Sequence, residues 1–524
     1  MPTAPVYEFD LIVIGSGIAG LTAALAAAEE GRSVAVVSKE PLLEECNTRY
    51  AQGGIVAAGE GDSPALLTQD ITVAGDSLNC REAVELLAAK GPALVDDLLV
   101  RRLGVPFTRD KEGRPARTQE AAHSVRRIYY SKDTTGQAIE TSLAAAVRGN
   151  ARIQLFTSHA AIDLITNTHN STDSQERYRR TRVIGAYLWD PSASQVKAFF
   201  APAVLLATGG IGNLFLHTSN PPCATGDGLA MASRVGAEII NAEYIQFHPT
   251  VLFHRDVKRF LISEALRGEG AHLINHAGER FMKKYDPERG DLAPRDEVSR
   301  AMYREMEIEG TDYLLLDARS ANASPLEERF PSIFQTCMDV GLDIRREPIP
   351  VVPAAHYFCG GIKVGLTGRT SIAGLYAAGE TACTGVHGAN RLASVSLLEG
   401  LYFGHATGLD AARNLTPVSA ELKRSIPDWV YPTPMEEFDP VLIQQDMVSI
   451  QSTMWNYAGI IRTVKRLERA QADLNYLSHR IEKFYRQATV SRSIIELRNA
   501  LVAAKVIVDA AYSNGKSLGC HFIE

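Results

Sequence analysis

A glycine-rich turn near the start of the chain constrains its fold more than any other feature. The turn is Gly15-Ser16-Gly17-Ile18-Ala19-Gly20, and it follows the largely apolar run 9–14. An alanine-rich helix is predicted over 21–30 and a second strand over 34–37. Strand, GxGxxG turn, helix and strand form a βαβ unit in which the helix N-terminus binds a pyrophosphate. These features predict a dinucleotide-binding domain, with a plain glycine turn as the alternative.

The ribose-binding part of this dinucleotide pattern is incomplete. Proteins with the pattern usually carry an acidic residue after the second strand, and its carboxylate binds the ribose hydroxyls. Here Ser38 and Lys39 follow that strand, and Glu40 comes slightly later. We therefore expect Ser38 or Lys39 to contact the ribose instead.

Two distant segments favour FAD over a nicotinamide dinucleotide, although both cofactors fit the opening motif. The first is Ala207-Thr208-Gly209, at the end of a predicted buried strand, and the second is the glycine-containing run 374–380. An elongated cofactor is contacted by such distant parts of a two-part domain. Glu380 is expected beside the cofactor, with a surface helix cap as the alternative. The other candidates are Asp227, the helix-starting pair Ser396 and Leu397, and the loop Asn47-Thr48-Arg49-Tyr50-Ala51-Gln52-Gly53-Gly54.

Length, composition and charge exclude several classes of protein. A chain of 524 residues with 45% apolar and 22% charged residues predicts a globular protein of two or three domains. A net charge of −7 gives no basic surface for nucleic acid. The first ten residues predict neither a signal peptide nor a membrane anchor. Seven cysteines without CxxC spacing predict reduced thiols in a cytoplasmic protein and no metal site.

A more charged segment with fewer glycines, 246–352, separates two parts of the chain that are rich in glycine. We therefore predict an α/β protein whose Rossmann-like FAD-binding domain is discontinuous, over 1–245 and 353–418. An inserted α+β capping domain is expected over 246–352. A C-terminal helical domain is predicted over 419–524. It contains a proline-bearing linker, 426–434, and then a helical bundle predicted from apolar residues at three- and four-residue spacing.

A donor-rich set of side chains suits a small substrate with two carboxylates, because a desolvated carboxylate must meet fixed donors or positive charge. Each histidine of the set, taken singly, could equally be a core residue. Their common occurrence with loop arginines favours a binding site. The set comprises His248, Ser263, Arg295, His356 and Arg391.

Several charged residues near this set are interpreted differently. Glu264 adjoins Ser263 and is included among the candidate site residues. Arg267 and Glu269 are interpreted as a pair on a helix surface. Arg280 and Arg289 lie in charge-rich stretches and are expected to be solvated surface residues without a role in the site.

The ordered motifs resemble the succinate dehydrogenase/fumarate reductase flavoprotein family from about residue 8 to the end of the chain. They are the opening fingerprint, the Ala-Gln-Gly-Gly run at 51–54, the runs 248–250, 264–270 and 293–296, and the runs 356–357 and 390–394. The resemblance implies FAD under a capping domain. It is strongest to members that oxidise L-aspartate to iminoaspartate, which a quinolinate synthase consumes, with oxygen or fumarate reoxidising the flavin.

The resemblance also implies roles for individual residues. It places His248, Ser263, His356 and Arg391 around the substrate carboxylates, and Arg295 in the family's proton-shuttling position. Glu120 resembles the acid that meets the substrate ammonium group.

Asn47 stands where members of membrane complexes carry a flavin-linking histidine, which implies non-covalent FAD. The rival interpretations are a succinate dehydrogenase or fumarate reductase subunit with an iron–sulfur partner, and a non-catalytic or tRNA-modifying FAD scaffold. Neither a nucleic-acid nor a membrane partner is expected; oligomeric state and preferred electron acceptor are left open.

Overall fold

The computed structural model of the protein describes residues 7–120, 122–320, 325–433 and 439–524. Six of the ten N-terminal residues considered above, and Pro434 of the proposed linker, therefore lie outside the described residues.

A parallel sheet is the centre of the cofactor-binding part. Its short strands are rich in valine, leucine and isoleucine and nearly all buried, as strands covered on both faces must be. In spatial order they are Leu375–Ala377, Ala203–Leu206, Leu11–Ile14, Val34–Val37 and Ile153–Phe156. The carboxyl ends of parallel strands share one edge, so the Gly15–Gly20 turn, Ser38 and Ala207 meet there.

The helix after the glycine turn, Ile18–Glu29, packs closely against a second helix, Val395–Arg413. Glycines at four-residue spacing permit this approach. A Cβ on Gly404 would lie 2.5 Å from the Ala19 carbonyl oxygen, and one on Gly408 would lie 2.3 Å from that of Ala23. The contact brings the N-termini of both helices to the same region of the molecule.

Smaller sheets extend the cofactor-binding part. Their strands are Tyr7–Glu8, Gln195–Phe200, Val183–Asp190 and Ala160–Thr166; Ile55–Val56, Ile128–Tyr129 and Arg117–Thr118; and Ile239–Ile240, Gly361–Lys363 and Ala382–Cys383. The helices of this part are Asn47–Tyr50, Pro64–Ala74, Arg81–Leu94, Val95–Arg102, Thr135–Arg148, Asn167–Asn170, Ser174–Tyr178, Gly212–Leu214, Asp227–Arg234 and Gly379–Thr381.

The segment of the chain that separates the two parts of the cofactor-binding region in sequence forms an antiparallel sheet. In spatial order its strands are Ile245–Leu252, Ile349–Phe358, Leu314–Asp317 and His272–Ile274. Its helical segments are Glu264–Gly268, Met282–Tyr285, Gly290–Leu292, Arg295–Glu309, Leu326–Arg329 and Pro331–Asp339. This segment has a hydrophobic cluster of its own. The domain boundaries given above remain predictions, and the one at 352/353 falls inside a strand.

The C-terminal part is helical. After Ala420–Arg424 it forms Pro440–Ala458, Val464–Gln487 and Arg492–Ser513, and the apolar spacing past residue 464 matches the buried face of the second of these long helices. These helices share one hydrophobic cluster with the central sheet. No helix in the described part of the chain has the length and hydropathy needed to cross a bilayer.

Candidate active site

A cavity of about 520 Å³ brings the two sets of candidate residues together. All seven candidate substrate-binding residues line it, together with the candidate cofactor residues other than Gly20. Sequence segments more than 300 positions apart therefore form one continuous wall. Gly20 packs beneath the turn instead, where a Cβ would lie 2.2 Å from the Gly15 carbonyl oxygen.

The glycine turn has the geometry that a pyrophosphate cradle requires. Gly15 has φ of +118°, and a Cβ there would lie 2.0 Å from the Ala207 carbonyl oxygen. A side chain would therefore be excluded by both conformation and space. Gly17 at the helix start provides no side-chain cap. This arrangement fits a dinucleotide whose phosphates lie at the helix N-terminus.

Lys39 is held by protein acceptors. Its Nζ lies 2.7 Å from Asp227 Oδ2, 2.7 Å from Thr225 Oγ1 and 2.8 Å from Glu496 Oε1. The contacts with Asp227 and Thr225 are hydrogen bonds, and the contact with Glu496 is an ion pair. Ser38 Oγ accepts a hydrogen bond from Ser16 at 3.3 Å.

Glu380 connects two walls of the cavity. Its Oε2 accepts a hydrogen bond from Asn47 at 2.8 Å, and its Oε1 accepts one from the Phe358 N–H at 3.0 Å. Burial raises the pKa of Glu380 to about 7, although both bonds favour the ionised form. The nearby helix begins at Val395, so Ser396 and Leu397 lie in its first turn, as the sequence predicted.

Two histidines face each other in the substrate part of the cavity, with ring centroids 5.2 Å apart. His248 Nδ1 accepts a hydrogen bond from the Thr250 N–H at 3.2 Å, which leaves the proton of a neutral ring on Nε2. Burial, with the guanidinium of Arg295, holds the pKa of His248 well below its usual range. Burial and Arg391 do the same to the pKa of His356, whose Nδ1 lies 2.6 Å from Ser219 Oγ. Burial therefore favours the neutral form of both rings.

The Arg391 guanidinium is held by several protein contacts, and one of its N–H donors has no partner within the described residues. It donates to Gln246 Oε1 and Ser396 Oγ, both at 2.9 Å, and its guanidinium lies 4.7 Å from the centre of the Tyr357 ring. Its buried Nε has no hydrogen-bond partner within the described residues. Burial lowers the pKa of Arg391 to about 10, with Arg295 adding repulsion. A ligand anion would relieve both effects.

Gln246, Tyr357 and Ser219 were not assigned roles from the sequence. Gln246 Oε1 also accepts a hydrogen bond from Arg295 at 3.3 Å, so one amide spaces two guanidiniums. Tyr357 lies in the run 356–357 singled out above, next to His356, and Gln246 lies two positions before His248. This closeness to candidate histidines was the sequence feature that could have indicated a role in the site. Ser219 had no such feature.

The interpretation of Arg267 as a surface residue is wrong. Arg267 is 3% exposed, and its guanidinium lies 3.9 Å from Glu264 Oε2. The helix that carries it is short and directed inward. Glu269 pairs with Arg329 at 3.5 Å instead. The side chains of Arg280 and Arg289 are 53% and 52% exposed, as expected.

The charges of this site match a dianion. Arg295 Nε donates to Glu264 Oε2 at 2.6 Å. Burial opposes ionisation of Glu264, but Arg295 and Arg267 outweigh it and lower its pKa. Among the described residues, the three guanidiniums, with Arg391 included, outnumber the carboxylates Glu264 and Glu120, so an anionic ligand is favoured.

Glu120 gives the same cavity a carboxylate. Its Oε2 accepts a hydrogen bond from Ser394 Oγ at 2.7 Å. Burial raises the pKa of Glu120, while Ser394 and Arg295 oppose the shift. The neighbouring Arg127 pairs with Asp62 and Asp70, at 3.2 and 3.0 Å, rather than with Glu120.

Comparison with known proteins agrees with this geometry. A family model described as an FAD binding domain matches residues 10–397, and one described as the C-terminal part of fumarate reductase flavoproteins matches 447–524. L-aspartate oxidase 1 of Ralstonia nicotianae is 44% identical over 98% of this chain and 95% of its own length. L-aspartate oxidase of Yersinia pestis is 42% identical over 100% and 97%. The chain belongs to the succinate dehydrogenase/fumarate reductase flavoprotein family, in its L-aspartate oxidase branch.

Solved structures of this flavoprotein family share the fold. E. coli quinol fumarate reductase FrdA is 28% identical with a TM-score of 0.87, over 99% of this chain and 91% of its own. Mycobacterium smegmatis Sdh1 is 31% identical with a TM-score of 0.81, over 99% and 89%. FAD is therefore the cofactor that the glycine turn and the cavity accommodate.

Proposed function

We propose that this flavoprotein oxidises L-aspartate to iminoaspartate. The observation that supports this best is a single cavity in which a dianion-binding cluster, a carboxylate and the dinucleotide-binding turn meet. Aspartate presents two carboxylates and one ammonium group, so it complements the cluster and Glu120 together. The names of the curated relatives support the same substrate.

The substrate carboxylates are held by donors that need no rearrangement. Arg391 contributes its guanidinium charge at the cavity wall, and His248 contributes its Nε2–H as a neutral donor. Arg295, His356 and Ser263 complete the set around the cavity. Because Gln246 and Glu264 already fix the two arginines, binding orders few side chains and orients the Cα–H bond reproducibly.

Glu120 is the proposed partner of the substrate ammonium. Its raised pKa reflects a carboxylate in a buried place without a matched cation, which an ammonium group would provide. Bound FAD would supply the hydride acceptor for oxidation at Cα. His248 and His356 do not repel the ammonium group, because burial lowers the pKa of both rings and favours their neutral form.

Arg295 has different proposed tasks in the two directions of the family's chemistry. A guanidinium with a pKa above about 12 rarely gives up a proton, so in aspartate oxidation Arg295 chiefly anchors and polarises the substrate. In fumarate reduction it donates the proton. Glu264 bonds Arg295 and also approaches Arg267, which makes this carboxylate the route by which Arg295 is reprotonated.

The finer features of the activity are also proposals. FAD is bound without a covalent link, and oxygen or fumarate reoxidises it. The oxidation is the first step of NAD biosynthesis through quinolinate, its product iminoaspartate passes to a quinolinate synthase, and the enzyme works in the cytoplasm. Asn47 supports non-covalent binding because an amide cannot replace the imidazole of a flavin link.

A fumarate reductase or succinate dehydrogenase subunit is the alternative, favoured by the likeness of the fold to FrdA and Sdh1. The deciding experiment is an anaerobic absorbance spectrum of the FAD-loaded protein after addition of L-aspartate and, separately, succinate. We expect loss of the visible flavin band with aspartate. Bleaching by succinate alone would replace the proposed function with this alternative.

A further inference from the structure

The C-terminal helix Arg492–Ser513 reaches the cofactor cavity, where Ile495 and Glu496 form part of the wall. Arg492, Glu496 and Asn499 lie at four- and three-residue spacing, on one face of this helix. Each of them contacts the cofactor-binding region. A helix encoded more than 450 residues after the glycine turn therefore helps to build the same site.

The contacts of this face are specific. Arg492 donates to the Lys39 carbonyl oxygen at 3.0 Å and to Glu40. Asn499 Nδ2 donates to Asp227 Oδ1 at 2.9 Å. Glu496 Oε1 accepts a hydrogen bond from Arg492 Nε at 2.9 Å and forms an ion pair with Lys39 Nζ at 2.8 Å.

Of the two carboxylates that contact Lys39, Glu496 is the one with an unused oxygen. Asp227 uses Oδ2 for Lys39 and Oδ1 for Asn499. Both bonds to Glu496 end on Oε1, and Oε2 takes no hydrogen bond from any described residue. The side chain of Glu496 is 17% exposed and lines the cavity, so Oε2 is accessible to a ligand.

The position also lacks its usual acid. In the dinucleotide pattern a carboxylate after the second strand binds the ribose hydroxyls, and here Lys39 occupies that place. Lys39 cannot take over the role, because an ammonium has no atom that can accept a hydrogen bond from a ribose hydroxyl. We propose that Glu496 supplies the missing carboxylate and binds the ribose hydroxyls of the adenosine half of FAD.

The first test is Glu496→Gln, with FAD titrated into the cofactor-free protein and binding followed by flavin fluorescence. Loss of a charged hydrogen-bond acceptor should weaken FAD binding about tenfold or more. Glu482→Gln is the matched control, because Glu482 pairs with Arg498 in the same helical part but does not line the cavity. It should bind FAD as the parent does.

A second measurement separates direct hydroxyl binding from a purely structural role. ADP, 2′-deoxy-ADP and 3′-deoxy-ADP are titrated into the cofactor-free parent and the Glu496→Gln protein. We expect the parent to bind ADP more tightly than at least one deoxy analogue, and the variant to lose that preference. Equal binding of all three by the parent would overturn the proposal even if the variant fails to fold. An equal loss for all three in a folded variant would also overturn it. The outcome does not depend on which substrate the enzyme oxidises.

Discussion

Asn47 and Glu380, 333 positions apart in the sequence, are joined by a hydrogen bond of 2.8 Å from the Asn47 amide to Glu380 Oε2. The bond lies at the wall of the cofactor cavity, and the other oxygen of Glu380 accepts the Phe358 N–H. Asn47 thus has a structural partner at the place where related membrane enzymes carry a histidine.

The first prediction is that FAD is released intact on denaturation. An amide does not form the stable bond to flavin that an imidazole forms, so contacts alone should hold the cofactor at Asn47. Acid precipitation followed by absorbance of the supernatant measures this. We expect yellow flavin in solution, and a yellow pellet would contradict non-covalent binding.

The second prediction concerns pH and the stability of the cofactor-free protein. Burial raises the pKa of Glu380 to about 7 from 4.5, so the folded state binds this proton more tightly than the unfolded state. The free energy of unfolding should therefore fall as pH rises from 4.5 to 7, by up to about 3 kcal/mol, and by less if water in the open cavity screens the charge.

Urea unfolding of the parent and Glu380→Gln at pH 5 and pH 8 checks this prediction. The glutamine keeps an acceptor for the Phe358 N–H but does not titrate, and the Asn47 amide can turn to suit it. The variant should gain stability relative to the parent at pH 8 and little at pH 5. Glu238→Gln, an exposed glutamate paired with Lys363, serves as the control. A constant difference at both pH values would show that Glu380 does not titrate in this range.

Local pattern was sufficient for features that depend on local geometry. Gly15 is required because its neighbour Ala207 O leaves no room for a Cβ, and a GxGxxG turn after an apolar strand encodes that requirement. The buried strands and the amphipathic helix Val464–Gln487 follow from residue spacing in the same way. The family motifs then located His248 and Arg391 in the cavity.

Features created by tertiary contact had no such signal. Arg267 has the local sequence of a surface residue, and only the inward direction of its short helix explains its burial. Gln246 spaces two arginines from distant segments. Lys39 looked free to bind the ribose because Glu496, which neutralises it, follows 457 positions later in the sequence.

The third prediction is that Arg391→Ala and Arg295→Ala both lose most aspartate turnover. A buried substrate carboxylate without its arginine partner costs about 2–5 kcal/mol, or roughly 30- to several-thousand-fold in kcat/KM. Arg280→Ala, at an exposed arginine of the same segment, should leave kcat/KM unchanged. Steady-state kinetics with L-aspartate and with fumarate provides the measurement. Near-parental fumarate reduction by Arg295→Ala would contradict its proton-shuttling role.

The fourth prediction tests how aspartate is distinguished from succinate, which lacks the ammonium group. Glu120→Gln keeps the shape of the side chain and an acceptor for Ser394, but it removes the negative charge. We expect kcat/KM for L-aspartate to fall by about 1.5–3 kcal/mol, or roughly 10- to 150-fold. Fumarate reduction involves no ammonium and should change much less.

Because burial raises the pKa of Glu120, KM for aspartate in the parent should increase as pH falls and Glu120 takes up a proton. The variant should lack that part of the pH profile, whereas Glu112→Gln, at an exposed glutamate of the preceding loop, should retain it. An equal fall in aspartate oxidation and fumarate reduction would mean that Glu120 supports the loop and does not select the substrate.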